Sequence, residues 1–338
     1  MNKEEYLLTY CDKLIPQLYD ELKGEKNEPN ISEVMPLLLF QSMVDKLRAL
    51  QVLRDNGQAR VGESGYGIVR TMYECKWYLL YMIKEDNEFR ATAYYYFSRL
   101  DEAKSGIKDI EYKIYLNDKY IKLNQEKVRI IEGYIEEYKT AIKNGDFDTA
   151  GPFLIRSMKR GQINPLLGLK EEIEEYNSDL VDLNESNDML NAKKAKLEQR
   201  IQRLEADLQY QHIRAEYDLI KGDIQYPKWY TLKTGTGRSS IKTLRRLAVK
   251  LGLEKQYDGS YSIFSQEIHG NNATNKIMLV GEKAVLKNLE DPIANLEAHD
   301  AFQAGLFTLS EVIEEFLIFY GKSDQSDRLR YTMGTLPV

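Results

Sequence analysis

Two pairs of side chains in this sequence have types and spacing that could do chemistry. Arg70 and Glu74 lie four residues apart in "IVRTMYE", and Ser265 and His269 lie four apart in "SIFSQEIH". On a helix, residues at that spacing share one face. An arginine beside a carboxylate on an apolar helix can hold an anion while the carboxylate serves as base or ligand, or the two can form an intrahelical salt bridge along a polar seam. A charge pair inside such a helix must be satisfied, or it costs several kcal/mol, on the order of 3–5. Histidine is the side chain that most readily moves protons near neutral pH. The Ser265–His269 pair has no partnering acid, since Glu267 points elsewhere on the helix, and no G-x-S-x-G elbow, so it does not spell a hydrolase triad; a lone histidine such as His269 is more often a hydrogen-bonded structural residue than a catalyst.

Other chemistries find less support. Cys11 and Cys75 are the only cysteines and lack metal-ligand spacing. His212 and His299 neighbour no ligand-like cluster, and no cofactor motif is present. "KTGTGRSS", residues 233–240, lacks the G-x-x-x-x-G-K-[ST] spacing of a phosphate loop. The segment 238–255 is locally basic, with Arg238, Lys242, Arg245, Arg246, Lys250 and Lys255 against Glu254. Such a run can meet nucleic-acid phosphates or be a solvated face. The first four of these are the candidate RNA contacts.

The elements that must position these residues are helical. Residues 1–103 read as helices, with Asn30 and Ser32 as candidate caps before "EVMPLLLFQSMVDKLRALQVLR" and Asp86 or Asn87 before "EFRATAYYYFSRLDEA". The segment "GESGYGIVRTMYECKWYLLYMIKED" is apolar on most faces and is expected to be buried. Heptads then dominate the middle of the chain. Ile107, Ile114, Ile121, Val128, Ile135 and Ile142 recur every seven residues, with Ile110, Asn117, Asn124, Ile131 and Tyr138 between them. A second ladder runs Leu169, Tyr176, Leu183, Leu190, Leu197, Leu204, interleaved with Ile173, Leu180, Asn187, Lys194, Ile201 and Leu208. This is a coiled-coil signal over two arms of about 60–75 Å each. The intervening 144–168 holds the glycines and prolines that would reverse the chain. An antiparallel hairpin is the simplest reading. A parallel dimer is the rival, because Asn187 and Lys194 can set register between chains.

The expected architecture is therefore all-α: a discontinuous helical-bundle body with an inserted long antiparallel coiled-coil hairpin. Residues 1–103 and 219–321 form the body, 104–218 the hairpin with its tip at 144–168, and 322–338 a loose tail. The tip places Phe153, Leu154, Ile155 and Met158 beside Arg156, either as an apolar plug or as a surface for a protein partner. "NKIMLVGEKAVLKNL" fits either a β-pair or a helical continuation.

Composition bounds the setting. The 338 residues carry a net charge of −6, which argues against nonspecific coating of nucleic acid. The 24 tyrosines suit half-wet surfaces and interfaces, so a homodimer through tyrosine-rich helices or the arms is expected. The start, MNKEEYLLTYCDKL, is acidic where a signal peptide is apolar, and no run approaches the roughly 20 apolar residues that span a bilayer. A cytoplasmic protein without membrane contact is expected.

Two stretches, "VRTMYECKWYLLYMIKEDNEFRATAYYYFSR" and "LAVKLGLEKQYDGSYSIFSQEIHG", resemble a bacterial family of unknown function, number 5677 in the domain-of-unknown-function series. The shared pattern is R-x-x-x-E on an apolar helix, an acidic turn followed by an Arg-Tyr helix, and a later Y-x-x-x-S-x-x-x-H-G. Here it falls on Arg70, Glu74, Arg90, Tyr261, Ser265, His269 and Gly270. The resemblance implies a helical protein with a role in toxin or antiviral systems. It also implies one cluster joining Arg70, Glu74, Ser265 and His269. A more distant similarity is to the HEPN superfamily of helical ribonucleases. Those enzymes place an arginine four to six residues before the histidine, whereas "YSIFSQEIH" has none, so Arg70 would fill that role from another helix. A non-enzymatic coiled-coil scaffold or sensor is the alternative.

Overall fold

A computed structural model of the chain describes residues 2–335, apart from 25–28, 56–61, 147, 153–164, 222–226, 233–240, 269–276, 281–282 and 287–291. The described residues are helical except for one short antiparallel pair, β1 (Ile277–Val280) and β2 (Lys283–Leu286), in which Ile277 faces Leu286 and Val280 faces Lys283. The β reading of "NKIMLVGEKAVLKNL" is thus the one adopted. The chain divides into two compact units, Met1–Phe97 with Leu208–Val338, and Ser98–Asp207.

The first unit is built on α1 (Lys3–Lys23), α2 (Ile31–Asp55) and α3 (Gly62–Lys84). Asn2 caps α1 in a reciprocal capping box with Glu5, and Asn30 occupies the cap position of α2, its amide donating to Glu33. Helix α4 (Asn87–Asn144) follows a turn in which Asp86 takes a positive φ of 45°. The second part of the unit contributes α6 (Gln211–Lys221), α7 (Leu244–Lys250), a three-part helix α8, α9 (Pro292–Phe319) and α10 (Ser323–Thr335); α5 (Pro165–Ala206) belongs to the other unit. The parts of α8 are Glu254–Gln256, a π-helical turn Tyr257–Tyr261, and Ser262–Ile268.

Helices α2, α3 and α9 pack against one another. Leu37, Phe40, Val44 and Leu47 on α2 follow the three-and-four spacing of a buried stripe, and α9, which packs on α2, buries Phe302, Leu309, Val312 and Phe316. The rings of Phe40 and Phe316 stack with centroids 4.0 Å apart. Close approach between the helices depends on Gly305. A Cβ there would come within 2.6 Å of a Leu50 methyl, 3.2 Å of Met72 Sδ and 3.3 Å of Leu47, all on fully buried side chains. Gly305→Val is therefore expected to lower stability by about 2 kcal/mol through overpacking, read as a reduced midpoint in urea unfolding. An unchanged midpoint would show that the helices can separate at no cost.

The tail expectation is corrected. Residues 323–335 form α10, which buries Ser326 and Leu329 against the bundle. It is tied down by Tyr10 Oη donating to Gln325 (3.1 Å), by an Arg330–Glu314 ion pair, and by Lys322 bonded to Glu21 (2.9 Å) at its entry. A mostly polar segment needs little apolar area to dock when its polar groups find specific partners.

The second unit is an antiparallel helical hairpin of α4 and α5. Glu102 meets Arg200 (3.0 Å), Glu111 meets Lys194 (2.8 Å), Asn117 donates to Asn187 (2.9 Å) and Lys127 lies 4.7 Å over the Tyr176 ring. Nearer the tip, Ile131 and Ile135 bury Leu169. The polar core residues that could have set register between two chains are satisfied inside one. Asn187 also donates to Asp118 (3.0 Å), completing a polar layer that penalises a shifted register. Helix α4 ends where Gly145 takes φ 69° and Asp146 N–H returns to Ala141 O, the left-handed stop for which glycine is suited. The five tip residues Phe153, Leu154, Ile155, Arg156 and Met158 lie outside the described residues.

Candidate functional site

Helix α3 presents a stripe of Tyr66, Arg70, Tyr73, Glu74, Trp77, Tyr78 and Tyr81, spaced by threes and fours. Most of that stripe faces α8. Tyr66 and Tyr73 flank Phe264, with centroids at 5.2 and 6.2 Å, and Trp77 lies 5.7 Å from Tyr257 and 5.0 Å from Tyr261. The lower end meets the turn Trp229–Thr231, where Tyr78 is 5.5 Å from Trp229 and 6.0 Å from Tyr230. These aromatic contacts fix α8 on α3.

Among those rings Arg70 and Glu74 are joined by Tyr261. Arg70 Nε donates to the Tyr261 hydroxyl (3.2 Å), which in turn donates to Glu74 Oε1 (2.7 Å). Arg70 Nε and Glu74 Oε1 are 3.3 Å apart directly. The side chains of Arg70 and Glu74 are 25% and 26% exposed, and Tyr261 is buried. Burial, and then the Glu74 carboxylate, push the Tyr261 hydroxyl well above the ordinary phenol range, with Arg70 pulling the other way. It therefore keeps its proton and its role as donor at neutral pH. Burial works against the charge of Arg70, yet Tyr261 and Glu74 hold its pKa above the usual value, so the guanidinium is always charged. Burial, then Glu74 and Tyr257, also push the neighbouring Tyr230 up to about 12.

Of the four residues expected to cluster, the structure brings Arg70 and Glu74 together. Ser265 lies one helical turn beyond Tyr261, half-buried, with no hydrogen-bond partner among the described residues. His269 lies outside them. The candidate RNA contacts fare differently from one another. Arg245 is engaged by Asp258 (2.8 Å) and Glu254 (2.7 Å), and so is not available to phosphate in this arrangement. Lys242 and Arg246 are exposed, and Arg238 is outside the described residues. His212 packs its ring 5.8 Å from Phe89, and His299 is exposed on α9.

Three sets of contacts were not read from the sequence, although Arg90 itself belongs to the family pattern. Lys76, 1% exposed, donates to Glu311 (2.5 Å) and Gln256 (3.0 Å), joining α3, α9 and α8. Arg90, also 1% exposed, spans the α3–α4 turn, lying 3.7 Å over the Tyr81 ring and bonding the Tyr81 carbonyl and Glu85. The Trp77 indole N–H is buried with no acceptor among the described residues. A lysine in "ECKWYLLYM" and an arginine in "FRATAYYYF" were signals of the first two, since a charge within an apolar run must find a partner. Both thiols are unreactive in character: burial pushes Cys11 up to about 12 and raises Cys75. Among the described residues no group of three metal-ligating side chains exists, and no helix is long and apolar enough to cross a membrane.

This arrangement defines a helical protein with an arginine–carboxylate–tyrosine seam between two packed helices. Residues 33–164 match the model of DUF5677, a family of unknown function. The matched span contains Arg70, Glu74 and Arg90 and runs along the first arm of the hairpin, while Tyr261, Ser265 and His269 lie beyond it. No curated protein and no solved structure matches the chain.

Proposed function

We propose that this chain is a bacterial effector of defence or toxin type, working in the cytoplasm, that takes a phosphate-bearing substrate at Arg70, with RNA as the substrate to test. The pose of Arg70 carries the reading. Its Nε is committed to Tyr261 and Glu74, while Nη1 and Nη2 have no partner among the described residues and the side chain is a quarter exposed. A guanidinium held by one edge with its fork free is oriented to take two oxygens of a phosphate. Glu74 steadies it directly and through the tyrosine hydroxyl.

In cleavage of RNA by internal transfer, the 2′-oxygen bonds to phosphorus and the 5′-oxygen leaves. A base takes the 2′ proton and an acid supplies one to the 5′-oxygen. Arg70 would stabilise the charge gathering on the non-bridging oxygens. His269 is assigned to the proton transfer from the sequence alone, and Ser265 to a hydrogen bond toward the same substrate.

The test is total RNA integrity in cells induced for the wild type beside equally abundant, folded Arg70→Ala and His269→Ala variants. Fragmentation with the wild type only is expected, with loss of Arg70 slowing cleavage ~10²–10³-fold. Intact RNA in all three overturns the ribonuclease reading. A second reading, a non-enzymatic scaffold, is favoured by a separate observation: apolar side chains on the hairpin that nothing in the chain's described residues covers.

A further inference from the structure

Helix α4 carries two apolar seams, and α5 covers one. The second runs Leu116, Tyr120, Leu123, Lys127, Ile130, Tyr134, alternating steps of four and three residues. That is the spacing of a coiled-coil contact. Tyr120 is 55% exposed, Leu123 49% and Ile130 46%. Single exposed apolar residues are ordinary on a protein surface, but three in heptad register on one helix are the mark of a contact. Along this face of α4 Lys113 is paired with Asp109 (2.7 Å), and from Leu116 to Ile130 the charges are Lys119 and Lys127 against Glu126. Lys119, beside Leu116, Tyr120 and Leu123 in a shallow hollow, has no ion-pair partner among the described residues.

The adjoining face of α5 has the opposite sign. Its heptad rows there hold Glu172, Glu175, Asp179 and Asp182, followed by the 63%-exposed Met189, with no basic residue between Glu172 and Met189. Glu175, Asp179 and Asp182 are exposed and make no ion pair among the described residues. The Glu102–Arg200 bond places these rows on one side of the hairpin. Glu102 belongs to the heptad row of Leu116, Leu123 and Ile130, and Arg200 to that of Asp179. The Asn117–Asn187 and Lys127–Tyr176 contacts set the height, so the basic–apolar stretch of α4 stands level with Glu175–Asp182 of α5.

One side of the hairpin is thus half basic and apolar, half acidic, at the same level. A two-fold axis lying in the plane of that side and parallel to the helices lays α4 of one copy on α5 of another, and the reverse, in a single step. We propose that this side is the interface between two copies of the chain, pairing their hairpins into a four-helix bundle. This interface shares no residue with the Arg70 site.

The full chain is tested by sedimentation equilibrium with two charge-reversed variants. One carries Lys119→Glu, the other Asp179→Lys with Asp182→Lys. All three positions are exposed on the hairpin, and circular dichroism reports whether the helices persist. The wild type is expected to be a dimer, and each variant alone to dissociate at least about tenfold more readily, because like charges then face each other. Mixing the two variants is expected to restore the dimer, since every reversed residue again meets its opposite. A monomeric wild type at ~100 μM, the affinity range of a weak but specific contact, overturns the proposal and points to an unrelated acidic partner helix. So does a dimer indifferent to both reversals, or a mixture that fails to recover.

Discussion

Replacing Glu311 by alanine is expected to destabilise the protein by about 3–5 kcal/mol, and replacing Lys76 by methionine in the same chain to recover most of that loss. Lys76 is 1% exposed and Glu311 Oε2 is its only anionic partner among the described residues, with Gln256 supplying a neutral oxygen. Without Glu311 the ammonium stays in a low-dielectric seam between three helices with one neutral acceptor. Methionine has nearly the same length and no charge to satisfy, so the double variant loses the pair without stranding a charge.

The pH response separates this mechanism from simple loss of packing. Burial already lowers the Lys76 pKa below the ordinary lysine value, with Glu311 opposing the shift. Between that lowered value and the unfolded one, about 10.4, the unfolded chain binds more protons than the folded chain, so this group's contribution to stability rises with pH. Removing Glu311 lowers the folded value further and widens the window downward. The deficit of Glu311→Ala should therefore shrink between pH 7 and pH 10 in urea titrations. A deficit constant across that range, or a double variant no better than the single, would sink the argument.

The second large effect is expected at Arg90. Arg90→Ala should cost about 3–4 kcal/mol, and Arg90→Lys should recover less than half of it. Arg90 fills buried volume against the Tyr81 ring and donates in two directions at once, to the Tyr81 carbonyl and to Glu85 (2.7 Å). An ammonium lacks the planar fork that makes both bonds while stacking on the ring. Arg90 also holds the Glu85 carboxyl below its usual range, assisted by Lys250. A depressed carboxylate contributes stability that is present above the unfolded value, about 4.3, and is lost as pH falls through the folded one. Glu85 is largely exposed, so this part is well under ~1 kcal/mol, and its acid-side loss should diminish in the alanine variant. Equal stability of the lysine variant and the wild type would show that charge alone, rather than the fork, is what the turn requires.

The sequence by itself determined those features that depend on spacing along one helix. Heptads define the two arms, since a seven-residue apolar repeat can be buried only against another helix. The i, i+4 relation puts Arg70 and Glu74 on one face, and glycine with a polar segment after Lys143 ends α4. Even the second seam of α4 is written in the order Leu116, Tyr120, Leu123, although it becomes meaningful only once α5 is known to cover the first.

Tertiary structure decided whatever depends on two elements meeting. Asn187 and Lys194 look the same in sequence whether they fix register between chains or within one; their partners Asn117 and Glu111 come from the facing arm. Tyr261 lies 187 residues from Glu74, and only the packing of α8 on α3 makes its hydroxyl the bridge. Lys76 needs Glu311 from 235 residues away, a pairing that no local pattern encodes. The last helix shows the same limit: with little apolar surface of its own, α10 is held by Tyr10, Glu21 and Glu314 of helices formed earlier in the chain. Local periodicity specifies which face of a helix must be buried; which polar groups that burial brings within hydrogen-bond reach is settled when the helices pack.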